Sequence, residues 1–142
     1  MNPTKETSSL SYLNATGHIP YGMTNDYMFR LILEKNNYVL KGLICSLLSL
    51  TPEKITSVEI QNPILLNETV KDKEFILDIK VLMNDSAIIN LEMQMAYMLN
   101  WRERSLSYLC RAFDQLSHGQ LYDNVKPAIH IGFLNFNPTP DD

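Results

Sequence analysis

The sequence predicts one α/β domain whose elements follow the order ααβββαβ. Apolar residues recur with helical period through residues 24–48, and the period changes to two between residues 55 and 94. A second helical segment then precedes an apolar run at 128–136. A length of 142 residues suits a single domain, and 45% apolar residues supply a core.

Two helices open the domain after an arm of residues 1–23, which is rich in Ser, Thr, Asn, Gly and Pro. Capping side chains at residues 24–26 predict a helix from there to about Lys35. Apolar residues then recur at i, i+3, i+4, i+7 and i+8 from Leu40 to Leu48. This stripe predicts a second helix with one buried face.

Alternating apolar and polar residues predict three strands after these helices. The strands are expected at residues 55–61, 74–82 and 86–94, with a loop at 62–72 and a turn at Asn84-Asp85. The last two strands therefore form a hairpin.

A third helix is predicted over about residues 99–117, ending before Gly119. The helix is indicated by one apolar stripe, which contains Leu99, Leu106, Leu109, Cys110, Phe113 and Leu116. Both cysteines, Cys45 and Cys110, are expected to be buried and reduced, because two cysteines cannot form a disulfide framework. An acidic tail, 137–142, follows the last strand.

Charge and hydropathy exclude several classes of protein. The net charge of −4 argues against a basic chromatin or membrane-surface protein. Nucleic acid would therefore have to bind to a local patch of the surface. No signal peptide and no apolar stretch of membrane-spanning length is present. We therefore expect a cytoplasmic protein without a membrane partner.

The register of the predicted hairpin places charged residues together. The apolar residues of both strands lie on one side of the sheet only if paired residue numbers have an even sum. A sum of 170 gives the apolar pairs Leu77 with Met93, Ile79 with Leu91 and Val81 with Ile89. The same register sets Asp78 opposite Glu92 with Gln94 beside them, and it requires a three-residue loop such as 84–86 or a bulge.

Two carboxylates in direct opposition repel unless a positive charge lies between them. Mg²⁺ suits this position because it takes oxygen ligands, often one or two carboxylates completed by phosphate oxygens and water. Alternatively, Asp78 and Glu92 are solvated residues on the outer face of the hairpin, and Lys80 neutralises them. The pattern alone leaves both interpretations open.

The residues around this pair resemble a known family. Asp78 within Phe75–Val81, followed after a short hairpin by Asn90-Leu91-Glu92-Met93-Gln94, is similar to the PD-(D/E)xK nuclease superfamily, in particular to the recombination-promoting nucleases and transposases of the Rpn type. The likeness extends over residues 24–136 and includes Asn25–Arg30, Arg104, Tyr108, Gln115-Leu116, Gly119, Tyr122 and Pro127–Phe136.

This resemblance implies a restriction-endonuclease-like αβββαβ core, with a mixed central sheet flanked by helices. It also implies an endodeoxyribonuclease that uses Mg²⁺ or Mn²⁺ and takes part in recombination, mobile-element or defence processes. Asp78 and Glu92 would hold the metal, with Asp26 as a further ligand or only a helix cap. Gln94 replaces the superfamily's lysine, so the metal or Lys80 would supply the missing positive charge.

The third helix carries a polar face that the resemblance connects with DNA. Arg104, Tyr108, Arg111 and Gln115 follow one side of this helix and are either DNA-binding residues or a solvated surface. Function is favoured for Arg104 and Tyr108, and a solvated role for Arg111. No organic cofactor is expected.

Relatives continue beyond the last core strand, so the tail is the expected truncation point of a longer architecture, and a homo-oligomer is predicted. The alternative function is a noncatalytic DNA-binding or protein-assembly module on the same fold.

Overall fold

The computed structural model describes residues 16–18, 21–62, 78–114 and 119–139. The helices are α1 (Asp26–Lys35), α2 (Asn37–Leu48) and α3 (Trp101–Phe113), and the strands are β1 (Val58–Ile60), β2 (Ile79–Met83), β3 (Ala87–Gln94) and β4 (Ala128–Leu134). Most of the predicted arm, nearly all of the predicted loop at 62–72 and the end of the acidic tail lie outside the described residues. None of the described helices is long and apolar enough to cross a membrane.

Asparagine side chains define the start of the first two helices. The Asn25 side chain accepts a hydrogen bond from the backbone N–H of Met28 at the start of α1. Asn36 ends α1 and also caps α2, where its side chain accepts from the N–H groups of Tyr38 and Val39. These bonds satisfy first-turn N–H groups that have no partner within the helix. The predicted break after Lys35 is confirmed.

The four strands form one mixed sheet in the order β1-β2-β3-β4. The first three strands are antiparallel, and β4 runs parallel to β3. Together with the three helices, this confirms the predicted α/β class with a mixed central sheet. β1 is shorter than predicted because the backbone N–H groups of Thr56 and Ser57 donate to the side chain of Asn84.

The predicted hairpin register is confirmed along the described part of the hairpin. Ile79 pairs with Leu91 and Val81 with Ile89, as the sum of 170 requires. The turn is the predicted three-residue loop 84–86, since Met83 pairs with Ala87 and Ser86 N–H donates to the Met83 carbonyl. The predicted pair of Leu77 with Met93 lies outside the described residues.

The two faces of the sheet differ in polarity. One face packs against α1 and α2 and forms the core, whose fully buried members include Leu33, Leu40, Ile44, Ile79, Val81, Ile89 and Leu91. The opposite face presents Lys80, Asn90 and His130 in one row, and Glu92 and Gly132 in the next. α3 contacts β3 and β4 and covers this polar face.

Most of the described apolar stripe of the third helix is exposed, although Leu109 is half-buried, and the predicted burial of Cys110 is wrong. Leu99, Leu106 and Phe113 are 82%, 60% and 54% exposed, and Cys110 is exposed rather than buried, unlike Cys45. The buried residues of α3 are Trp101 and Ala112, while Leu116 lies outside the described residues. The sheet face beneath α3 is polar, and the helix meets it with Arg104 and Tyr108 as well as with Trp101.

Close packing between α3 and β4 depends on Gly132. A Cβ atom at this position would overlap the indole ring of Trp101. The missing side chain therefore lets Trp101 lie directly on the sheet and sets the position of the first turn of α3.

Gly132→Ala is expected to lower the free energy of unfolding by roughly 1–3 kcal/mol, because an added methyl group overpacks the contact with Trp101. Urea unfolding followed by far-ultraviolet circular dichroism measures this loss. The matched control is Gly42→Ala in α2, where a Cβ meets nothing within 4 Å and the higher helix propensity should raise stability by up to about 1 kcal/mol. Equal stability of Gly132→Ala and the parent would contradict the packing role.

Candidate active site

Asp78 immediately precedes β2, and its backbone is fixed by two side chains. The Asp78 carbonyl accepts hydrogen bonds from Arg30 Nη1 at 2.6 Å and from Asn62 Nδ2 at 2.9 Å. Asn62 Oδ1 in turn accepts from the Lys80 N–H at 2.8 Å. Arg30 is 2% exposed, donates also to the Asn62 carbonyl and forms an ion pair with Glu34. The position of Asp78 is thus set by α1 and by the residues that follow β1.

The acidic pair consists of Asp78 and Glu92. The β2–β3 register, continued by one residue beyond Ile79↔Leu91, places these residues opposite each other. Asp78 Oδ1 and Glu92 Oε2 are both buried without a hydrogen-bond partner. Buried polar atoms are rarely left unsatisfied, and such atoms often mark a site for an ion or a ligand.

Arg104 of α3 neutralises one oxygen of Glu92. Its Nε donates to Glu92 Oε1 at 3.0 Å, and its Nη2 lies 2.9 Å from the same oxygen. Nη2 also donates to the Tyr108 hydroxyl at 3.0 Å, and the guanidinium carbon lies 4.9 Å from the centroid of the Tyr108 ring. Arg104 and Tyr108 therefore support Glu92, while the side chain of Arg104 remains partly exposed.

Burial raises the pKa values of both carboxyl groups. Desolvation raises the pKa of Asp78, and its own backbone N–H and the charges of Arg30, Arg104 and Lys80 oppose this only in part. Desolvation also raises the pKa of Glu92, against the hydrogen bond and charge of Arg104, and the charge of Asp78 adds to the increase. The pair therefore favours the binding of a proton or another cation.

His130 of β4 belongs to the same cluster, although it is not among the predicted site residues. Its side chain is 2% exposed, and its Nε2 lies 3.7 Å from Glu92 Oε2. On the other side of the ring, Asn90 Nδ2 lies 3.0 Å from His130 Nδ1. Because the amide nitrogen of Asn90 can only donate, Nδ1 accepts and Nε2 carries the proton. Burial lowers the pKa of His130, which favours this neutral form.

Aromatic rings hold the His130 ring in place. Tyr108 stacks on it with centroids 5.5 Å apart and an interplanar angle of 9°, and the centroid of Trp101 lies 5.8 Å away. The Nε2 atom is buried without a hydrogen-bond partner. An N–H donor is thus aimed at the cluster that contains Glu92 Oε2.

The donor set fits a hard divalent cation. Asp78 Oδ1 and Glu92 Oε2 are the oxygen ligands that Mg²⁺ prefers, and substrate and water oxygens commonly complete its shell. Within the described ranges, no group of three or more His, Cys, Asp or Glu side chains is arranged to hold a metal. Asp26, in the first turn of α1, is therefore not brought together with the acidic pair, and its position is that of a helix-start carboxylate.

The remaining predicted site residues have different surroundings. Gln94 lies at the end of β3, and its Nε2 donates to the Ala96 carbonyl at 2.9 Å. Lys80 lies on the same sheet face as Asn90, its neighbour in the β2–β3 pairing. Arg111 is an exposed residue in the last turn of α3, and Gln115 lies outside the described residues.

Sequence reasoning missed Arg30, Asn62, Asn90 and His130. For His130 a signal existed, since Ile129, Ile131 and Phe133 alternate with it and assign it to the opposite face of β4. Arg30 is buried in α1 together with the apolar residues Phe29 and Leu33. A charged residue in such a buried stripe requires a polar partner inside the protein.

A comparison with family models identifies a family. The model of the PD-(D/E)XK nuclease family transposases matches residues 23–142. The chain belongs to this family. Membership of this family indicates a function related to nucleases or to transposition. Searches among curated proteins and among solved structures gave no match.

In metal-free protein, Asp78→Asn is expected to raise the free energy of unfolding at neutral pH by roughly 0.2–1 kcal/mol, the size of a relieved cross-strand repulsion. The folded-state pKa of Asp78 lies above its ordinary value of 3.8. At pH values between these two pKa values, the folded state therefore binds more protons than the unfolded state. The contribution of Asp78 to the stability of the parent therefore falls as the pH rises above about 4, and the advantage of the variant grows.

Urea unfolding in EDTA at several values between about pH 4 and about pH 7 tests this dependence. Glu59→Gln is the matched control, because Glu59 is an exposed carboxylate of β1 in the same sheet. A constant difference between Asp78→Asn and the parent across the pH range would contradict the raised pKa.

Proposed function

We propose that the chain is a Mg²⁺-dependent endodeoxyribonuclease that hydrolyses DNA phosphodiester bonds. The observation that supports this most directly is the pair of buried carboxylate oxygens, Asp78 Oδ1 and Glu92 Oε2, which have no hydrogen-bond partner. The two residues occupy the acidic positions of the PD-(D/E)XK motif, and the family match supports their assignment.

Asp78 and Glu92 are the proposed metal-holding residues. Mg²⁺ or Mn²⁺, when bound, polarises the phosphoryl group and increases the acidity of a water molecule. Arg104 donates a hydrogen bond to Glu92 Oε1, which leaves Oε2 for the cation. The side chain of Arg104 is 39% exposed, so its guanidinium is also accessible to a phosphate oxygen of DNA.

Gln94 is proposed to orient the attacking water. Its amide nitrogen donates to the Ala96 carbonyl, which fixes the amide and leaves its oxygen to accept a hydrogen bond from water. A neutral amide cannot supply the charge of the superfamily's lysine. Lys80, two residues from Asp78 on the same face, is proposed to supply it.

Family resemblance supports further proposals. On this ground we propose a role in recombination, mobile-element or defence processes, together with a cytoplasmic location and self-association. Tyr108 is proposed to contribute to DNA binding together with Arg104. Arg111 and Gln115 remain predicted members of the same DNA-binding surface.

Asp78→Asn and Glu92→Gln are each expected to abolish Mg²⁺-stimulated cleavage of plasmid DNA, because either change removes a charged oxygen ligand with little change in shape. Gel electrophoresis after incubation with Mg²⁺, Mn²⁺ or EDTA provides the measurement. Glu59→Gln, an exposed carboxylate of the same sheet, should cleave like the parent.

The rival function is a noncatalytic DNA-binding module, and it makes a different prediction. In that case the folded parent would not cleave with either metal, while Arg104→Ala and Tyr108→Ala would weaken DNA binding. Mg²⁺ would then leave the thermal stability unchanged, since nothing would bind between the two carboxylates. This pattern would contradict the nuclease proposal.

His130 is proposed to position Glu92, because its Nε2–H is directed toward Oε2. The 3.7 Å separation is longer than a hydrogen bond, and such contacts often tighten only when substrate is bound. His130→Phe keeps the stacking with Tyr108 but removes the donor. It is expected to lower the cleavage rate by roughly 10- to 100-fold, the usual effect of removing a group that orients a metal ligand.

Two measurements separate this positioning role from a merely structural one. His130→Phe should weaken Mn²⁺ binding, measured by calorimetry, while leaving KM for DNA unchanged. His130→Gln, which restores an N–H donor, should recover part of the cleavage rate. The control is His18→Phe at an exposed position. Parent-like Mn²⁺ affinity and rate in His130→Phe would exclude the proposed contact.

A further inference from the structure

A second concave site lies on the same sheet face as the acidic pair. It is a cavity of about 250 Å³ between β2, β3 and the segment that follows Gly119. Lys80, which lines it, is two residues beyond Asp78, roughly 6–7 Å along the strand. This is close to the separation of neighbouring phosphates along an extended nucleic-acid strand.

The described lining of the cavity is cationic in an acidic protein. Lys80 and Lys126 both line it, and no acidic residue is among its described lining residues, although the net charge of the chain is −4. The lysines reach the cavity from opposite sides, since Lys80 belongs to β2 and Lys126 precedes β4. Two ammonium groups across a small cavity favour an anion, and a phosphate matches this charge.

The rest of the lining combines apolar and amide groups. The apolar residues are Leu82, Ile88 and Val125, and the amide residues are Gln61, Gln120 and Asn124. Leu82 and Ile88 are paired across β2 and β3, so they form a continuous apolar floor. A planar heterocycle can lie on such a floor, while amide groups donate to and accept from its polar edge.

We propose that this cavity binds the nucleotide adjacent to the scissile phosphate, with its phosphate between Lys80 and Lys126 and its base over Leu82 and Ile88. This inference rests on the proposed nuclease function and adds a substrate class to it. A base enters such a cavity only after it leaves the duplex stack, and unstacking is least costly in single-stranded DNA. Single-stranded or frayed DNA is therefore the favoured substrate.

The test uses the full chain carrying Asp78→Asn, in EDTA, so that metal binding and cleavage play no part. Isothermal titration calorimetry compares thymidine 5′-monophosphate with inorganic phosphate and with thymidine. The mononucleotide should bind more tightly than either fragment. Lys126→Gln should weaken its binding about tenfold or more, the effect expected from losing a hydrogen bond to a charged group. Lys54→Gln is the matched control, because Lys54 is exposed and does not line the cavity.

Each outcome decides between the alternatives. Unchanged mononucleotide binding in Lys126→Gln would overturn the proposal, and so would inorganic phosphate that binds as tightly as the mononucleotide. If Lys126→Gln does not fold, Asn124→Ala replaces it and should also weaken the mononucleotide but not phosphate. Mononucleotide binding that depends on Lys126, in a parent that never cleaves DNA, would support the cavity and contradict the nuclease. A parent that cleaves DNA but does not bind the mononucleotide through Lys126 would support the nuclease and contradict the cavity.

Discussion

Glu92 is 5% exposed, and a carboxylate removed from water costs several kcal/mol unless charge and hydrogen bonds compensate it. Much of the described structure around β3 follows from this constraint. Arg104 must reach Glu92 Oε1, so α3 has to lie at a fixed position over the sheet. Gly132 allows Trp101 to pack directly on the sheet and to hold the helix at that position. Glu92 Oε2 is still left without a hydrogen-bond partner, and that remaining imbalance is the basis of the proposed cation binding.

The same constraint explains why α3 departs from ordinary amphipathic packing. A helix usually buries its apolar stripe, because that stripe contributes most of the packing energy. Here the covered sheet face contains Glu92 and His130, and an apolar helix surface would leave these groups unsatisfied. The helix therefore turns Arg104 and Tyr108 inward, and Leu106 and Phe113 remain exposed.

The elements and the hairpin register could be predicted from the sequence because they depend on local periodicity. A period of two places Ile79 and Leu91 on one face, and only an odd-length turn keeps Asp78 with Glu92. The orientation of α3 could not be predicted, since it depends on the polarity of a surface that forms only after the strands pair. His130 was missed for a related reason. Its contact with Asn90 requires the parallel pairing of β3 and β4, which no local pattern encodes.

The spacing of these contacts along the chain orders the assembly of the site. The hairpin closes over a three-residue turn, Arg104 follows Glu92 by 12 residues, and His130 follows Asn90 by 40. Short loops close first because they lose less chain entropy. The entropic cost of loop closure is therefore lowest for the pairing of the two acids, higher for the contact of Arg104 with Glu92, and highest for that of His130 with Asn90. During synthesis, Asp78 and Glu92 emerge before Arg104 and His130, so the nascent chain carries the acidic pair before the side chains that contact Glu92 are present.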